Sequence, residues 1–224
     1  MKRQLKRVGF VVATFAVALG VLMTIEARKD KPRAEPVREG ESRLVRGDSH
    51  VLGETSDAGV TFVEFLDFEC EGCRAAYPIV EQLREEYDGR VTFVARYFPM
   101  PDHFNGMSAA RAVEAAAQQG KFEEMYHLMY ETQGEWGEQR TPADDVFRGF
   151  AERLELDLDR FQEAYDDPAT EKRIEKDIAD GHELGVQGTP TFFVNGERLE
   201  PTSPDDLGDA LDEALEDAGD DSAS

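Results

Sequence analysis

The chain of 224 residues has only two cysteines, Cys70 and Cys73. A disulfide between positions this close would close almost no loop and remove little chain entropy, so a small fold stapled by disulfides is excluded. Structural zinc needs four ligands, and His50, His103, His127 and His182 stand at no finger spacing from the cysteines. Basic residues are also scarce: 25 Lys and Arg against 48 Asp and Glu give a formal net charge of -23. Such a chain repels nucleic acid and anionic lipid surfaces, so no nucleic-acid partner is expected. Flavin, nucleotide and metal motifs are missing, hence no cofactor and no metal is expected. A single tryptophan, Trp136, falls in the Gln133-to-Arg140 stretch and reads as a packing or surface contact.

The N-terminus supplies what the rest lacks. Met1 to Arg7 is basic, and Val8 to Ile25 is apolar apart from Thr14 and Thr24, near the lower end of the ~17–25 residues that span a bilayer. Residues 1–27 therefore read as a membrane anchor, with a cleaved signal as the rival; small residues at a cleavage site are poorly placed. Bases flank the run on both sides, Lys2, Arg3, Lys6 and Arg7 before it and Arg28, Lys29, Lys31 and Arg33 after it, so charge alone leaves its orientation balanced. Residues 28–49, with Pro32, Pro36 and Gly40 among charges, read as a flexible stalk.

Val60 to Leu66 is a short apolar, β-branched run, hence a buried strand. From Cys73 to Tyr87 apolar residues recur at helical spacing, and Asp88-Gly89 ends that helix. Val91 to Phe98 is a second strand, stopped by Pro99 and Pro101. Strand, helix and strand in this order predict a βαβ unit with a parallel pair. A helical stretch follows over about 103–183, with Thr141-Pro142-Ala143-Asp144 as one helix start and Met and aromatic positions as core. Acidic faces around Glu152 to Asp180 read as solvated helix surface. Thr191 to Val194, Asn195-Gly196 and Glu197 to Leu199 form a hairpin, Asp205 to Ala218 is an amphipathic helix, and 219–224 is expected to be disordered. His103, after a proline loop, reads as a surface histidine.

The cysteines thus fall between a strand and a helix. A thiolate at position 70 would face free N–H groups at a helix N-terminus, which lowers its pKa, while Cys73, one turn in, is shielded. The pattern points to thiol–disulfide exchange. Two further features support it: Gly188-Thr189-Pro190-Thr191-Phe192, whose proline would be cis and bring Thr189 beside the sulfurs, and Glu64, an acid in an apolar strand six residues before Cys70.

Phe62 to Cys73, Gln119-Gly120-Lys121-Phe122 and Leu184 to Gly196, taken together, resemble the DsbA-like thioredoxin-fold family over about 50–218. The resemblance implies an α/β thioredoxin fold with an inserted helical domain, here preceded by an N-terminal transmembrane helix. It implies Cys70 as exposed nucleophile, Cys73 as buried partner, Glu64 as buried acid, and Gly188, Thr189 and Pro190 as the cis-proline loop that receives substrate. Implied partners are exported proteins with cysteine pairs and a membrane re-oxidant of the DsbB or vitamin K epoxide reductase type. The site would then lie on the extracytoplasmic face of a single-pass membrane protein, and a monomer is expected.

The dipeptide departs from the family. Family oxidases often carry proline and histidine between the cysteines, whereas Glu71 and Gly72 stand here. Glu71, with Glu69 and Asp67 screened by solvent, should oppose the thiolate, giving an expected potential of about -150 to -220 mV, below the ~-120 mV of the strongest oxidases. An oxidase is the first reading. A reductase or isomerase, and a tethered non-catalytic module that binds chains, are the alternatives.

Overall fold

A computed structural model of the protein describes residues 35–36 and 42–221. The element order is β1 (His50–Leu52), β2 (Val60–Leu66), α1 (Glu71–Glu86), β3 (Val91–Tyr97), α2 (Gly106–Ala117), α3 (Phe122–Trp136), α4 (Asp144–Arg153), α5 (Leu158–Asp166), α6 (Pro168–Glu183), β4 (Thr191–Val194), β5 (Glu197–Arg198) and α7 (Asp205–Asp221). Five strands form one sheet in the order β1-β3-β2-β4-β5. The central strand β2 runs parallel to β3, with Glu64 opposite Ala95, and antiparallel to β4, with Glu64 opposite Phe192. This is a mixed α/β thioredoxin-like fold with helices α2 to α6 inserted between β3 and β4.

Both faces of the sheet are covered, which is why β2 and β3 read as nearly continuous apolar runs. Phe62 and Leu66 of β2 face a large core with Phe93, Ala95 and Tyr97 of β3, and with Cys73, Ala76, Val80 and Leu83 of α1. Val63 and Phe65 face the other side, among Val94, Phe98, Val186 and Phe193. Alternation along β2 puts Glu64 on the same face as Phe62 and Leu66, toward α1 and Cys73. On the second face α6 comes close enough that a Cβ on Gly181 would stand 2.7 Å from Phe98 Cδ2, so only glycine fits there.

Several sequence expectations change here. Strand β1 was not anticipated: three residues show no period, and it is defined by pairing antiparallel to β3. Residues 42–49, expected in the stalk, pack on the domain. Arg46 is 4% exposed and ion-pairs with Asp180. Asp180 also receives Arg43 at 3.0 Å and Arg96 at 3.0 Å, while Asp177 takes Arg96 at 2.7 Å and Arg173 at 2.6 Å. These two aspartates are fully buried, not solvated, because they answer the arginine that β3 carries into the interior. Trp136 ends α3 and is buried edge-on against Phe147. Pro142 lies ahead of α4, whose N-cap is Ala143. Helix α7 continues to Asp221, beyond the expected end at 218. The expected anchor or signal over 1–27 lies outside the described residues, and among the described residues no helix is long and apolar enough to cross a membrane.

Candidate active site

The site forms where β2 ends. Cys70 is the N-cap of α1 with extended backbone (φ -70, ψ 123), and its N–H donates to the carbonyl of Asp67 at 3.1 Å. Its sulfur is partly exposed, while Cys73 is 0% exposed; both are free. The Cys70 thiol points at the carbonyl oxygen of Thr189, 3.2 Å away. The Thr189–Pro190 peptide is cis. Gly72 is pressed to the same loop, since a Cβ on it would meet Pro190 Cδ at 3.2 Å and Cys70 Sγ at 3.5 Å. The carbonyl of Gly188 accepts the Thr191 hydroxyl at 2.7 Å, which fastens the loop to the start of β4.

Two sulfurs in one turn have opposite chemistry. Hydrogen bonding from Cys73 is the largest influence on Cys70; the Thr189 side chain and the N–H groups of Cys73 and Gly72 add to it and outweigh burial, bringing the thiol down to about 5. Burial pushes Cys73 well above its usual value, reinforced by its bond to Cys70 and by the charges of Glu64 and Cys70. The Asp67 N–H reaches Cys73 Sγ at 3.4 Å. The arrangement makes Cys70 a good leaving thiolate and Cys73 a protonated partner at neutral pH.

Glu64 is 3% exposed. Burial raises its carboxyl to about 8, helped by the charges of Glu81 and Cys70. A proton is therefore available beneath the pair at neutral pH. The hydroxyls of Tyr126 and Tyr130, on α3, are also buried, with no hydrogen-bond partner among the described residues. Their rings pack against Tyr77 of α1 at 5.6 and 5.2 Å.

The acids around the turn are not where the sequence suggested. Asp67 and Glu69 are each 1% exposed. Asp67 accepts from the Glu69 N–H at 2.9 Å, the Met100 N–H at 2.7 Å and His103 Nδ1 at 2.6 Å. Glu69 accepts from the N–H groups of Asn105 and Glu138. Local partners, not solvent, answer these charges, while Glu71 is exposed. His103 is tied to the turn and is not a free surface residue. Its bond to Asp67 is the main cause of a rise to about 9.

Sequence reasoning brought Glu64, Cys70, Cys73, Gly188, Thr189 and Pro190 together, and the structure places them at one locus. It missed Gln133, whose amide donates to the carbonyls of Phe68 at 2.7 Å and Cys70 at 3.0 Å. The available signal was a polar residue at the register of Met125, Met129 and Trp136 on the apolar face of α3. It also missed Asn105, which is 1% exposed and whose side chain joins the Gln139 and Thr141 carbonyls to the Ala143 N–H.

Fold and turn together define a thioredoxin-like oxidoreductase fold carrying a paired-cysteine turn. A family model described as Thioredoxin matches residues 46–213, and the chain belongs to that family. Among solved structures, a thioredoxin-like oxidoreductase from Silicibacter pomeroyi DSS-3 is similar at 29% identity with TM-score 0.66, over 80% of this chain and 99% of that one. Oxidised BdbD from Bacillus subtilis shares the fold with TM-score 0.67 and 22% identity, over 84% of this chain and 99% of that one. Of curated proteins, Na(+)/H(+) antiporter NhaA 1 of Salinispora arenicola is 40% identical over 204 residues, covering 86% of this chain and 30% of its own length. The chain thus spans about a third of the length of the curated relatives it matches.

Proposed function

We propose that the protein introduces disulfides into exported proteins through Cys70 and Cys73. The observation that carries this reading is a partly exposed, acidic sulfur at a helix N-terminus, one turn from a buried thiol of raised pKa. A client thiolate attacks Cys70 Sγ of the oxidised pair, the Cys70–Cys73 bond breaks, and the electron pair leaves on Cys73. Glu64, protonated up to about 8, supplies the proton that Cys73 takes. A second client thiolate then attacks the client sulfur of the mixed disulfide and expels Cys70 as thiolate. The client is oxidised by two electrons and the pair is reduced by two. Expulsion is fast because Cys70 is a good leaving group. Glu64, Cys70, Cys73 and Pro190 would carry the chemistry, and Gly188, Thr189 and Pro190 would line the client's path.

In this proposal the apolar N-terminal run holds the domain outside the cell membrane, and a membrane re-oxidant of the DsbB or vitamin K epoxide reductase type removes the electrons. That relatives of this segment occur within proteins named as Na(+)/H(+) antiporters supports a place at a membrane. A monomer is proposed. The test is oxidative refolding of a reduced client by the oxidised protein, with Cys70→Ser as control and the redox state of the pair trapped in cells. Client oxidation with a pair that rests oxidised supports the reading. A pair that rests reduced favours the reductase or isomerase reading, and function retained without both cysteines favours a binding module.

A further inference from the structure

Asp67 is the junction between the cysteine turn and the inserted helices. Its carbonyl accepts the Cys70 N–H at 3.1 Å, and its own N–H points to Cys73 Sγ at 3.4 Å. The residue whose backbone touches both cysteines also carries a buried carboxylate, and a negative charge in that turn disfavours a thiolate. Neither Glu71 nor Gly72 can cancel that charge. His103 can: its Nδ1 lies 2.6 Å from Asp67 Oδ2. The fit is closed by Gly106, where a Cβ would stand 3.0 Å from Asp67 Oδ1 and 3.3 Å from His103 Cβ. The charged groups that face His103 are Asp67, Glu69 and Cys70 on the turn and Asp102 beside it in its own loop.

We propose that His103 is a positioning residue for thiol–disulfide exchange: as an imidazolium clamped on Asp67 it offsets that buried charge and favours Cys70 as a thiolate, the task a histidine between the cysteines would perform. The inference rests on the exchange reading of the pair. With His103 held up to about 9 and Cys70 down to about 5, both charges coexist across neutral pH.

The test compares the pH midpoint of Cys70 alkylation in the wild type, His103→Gln and His103→Gln/Asp67→Asn, with thermal unfolding recorded for both redox forms. His103→Gln is expected to raise the midpoint by about one unit. It is also expected to move the equilibrium with glutathione about tenfold toward a weaker oxidant, equivalent to about 30 mV. The double variant, lacking both charges, returns toward the wild type. An unmoved midpoint in folded His103→Gln overturns the proposal, as does a double variant shifted as far as the single. A second readout needs no variant. Linkage requires the His103 titration, followed by NMR in the wild type, to fall when the pair is oxidised and the thiolate disappears; identical titrations in both redox forms overturn the proposal. If wild-type Cys70 itself titrates like a free cysteine, it is the exchange reading that fails.

Discussion

The sulfur of Cys70 and the carbonyl oxygen of Thr189 stand 3.2 Å apart although 119 residues of chain separate them. The contact joins the two ends of the thioredoxin core that the helical insertion pulls apart in sequence. It leaves the sulfur at the edge of the fold, with a carbonyl on one side and the N–H groups of α1 on the other. Ionisation forfeits the bond to the Thr189 carbonyl and gains the Cys73 thiol, the Thr189 side chain and the helix N–H groups.

Alkylation of the reduced protein should therefore report a single fast thiol. The rate at Cys70 is expected to follow a midpoint near 5. Cys73 should react only under denaturing conditions, because it is 0% exposed. Mass spectrometry of the modified peptides checks both; a midpoint in the range of free cysteine, about 8.5, would contradict the geometry.

Glu64→Gln separates burial from proton supply. The native carboxyl is raised to about 8 from 4.5, so its contribution to stability is full below about 4.5 and is lost as pH rises through 8. The glutamine protein should then lose less stability than wild type between pH 5 and 8 in urea titrations of the reduced form. Its exchange rate at neutral pH is expected to fall by about a hundredfold or more if Glu64 is the proton donor to Cys73. An unchanged rate and pH profile would remove Glu64 from the chemistry.

Asp180→Ala leaves three arginines, Arg43, Arg46 and Arg96, without their shared carboxylate. Removing one partner from a buried ion pair costs about 3–5 kcal/mol, because the remaining charge stays buried. A urea midpoint lowered accordingly, with the reduction potential of the cysteine pair unmoved, is the expected result.

Gln133→Leu strips the donor from two carbonyls of the cysteine turn while keeping the side chain's bulk. The Cys70 carbonyl keeps the Arg74 N–H at 3.1 Å, so the loss falls on the Phe68 carbonyl and should cost about 1–3 kcal/mol. Hydrogen exchange at the turn should rise before the sheet is affected. Protection there equal to the wild type would show that α3 does not hold the turn.

What the sequence revealed is what neighbours in the chain create. The β2–turn–α1 segment carries its apolar run, its cysteines and its helix periodicity within about 27 residues, and Gly188 to Gly196 announces its loop and hairpin locally. Partners set by tertiary packing were hidden. Asp177 and Asp180 look like ordinary helix charges until Arg96, inside the buried strand β3, is seen to require them. The one clue was an arginine within Val91 to Tyr97. His103 and Asp67 are 36 residues apart, and nothing local joins them. The solvent screening expected for Asp67 and Glu69 gave way to backbone donors supplied by the loop ahead of α2 and by the turn after α3.

The four acceptors that shape the cysteine turn, the carboxylates of Asp67 and Glu69 and the carbonyls of Phe68 and Cys70, are all served by residues between Met100 and Glu138. The inserted segment is thus part of the scaffold of the cysteine turn and cannot be trimmed away like an ornament. A miniaturised version, with β3 spliced straight to β4, would leave those acceptors facing water, and grafting this C-x-x-C turn onto a minimal thioredoxin would not transplant its reactivity.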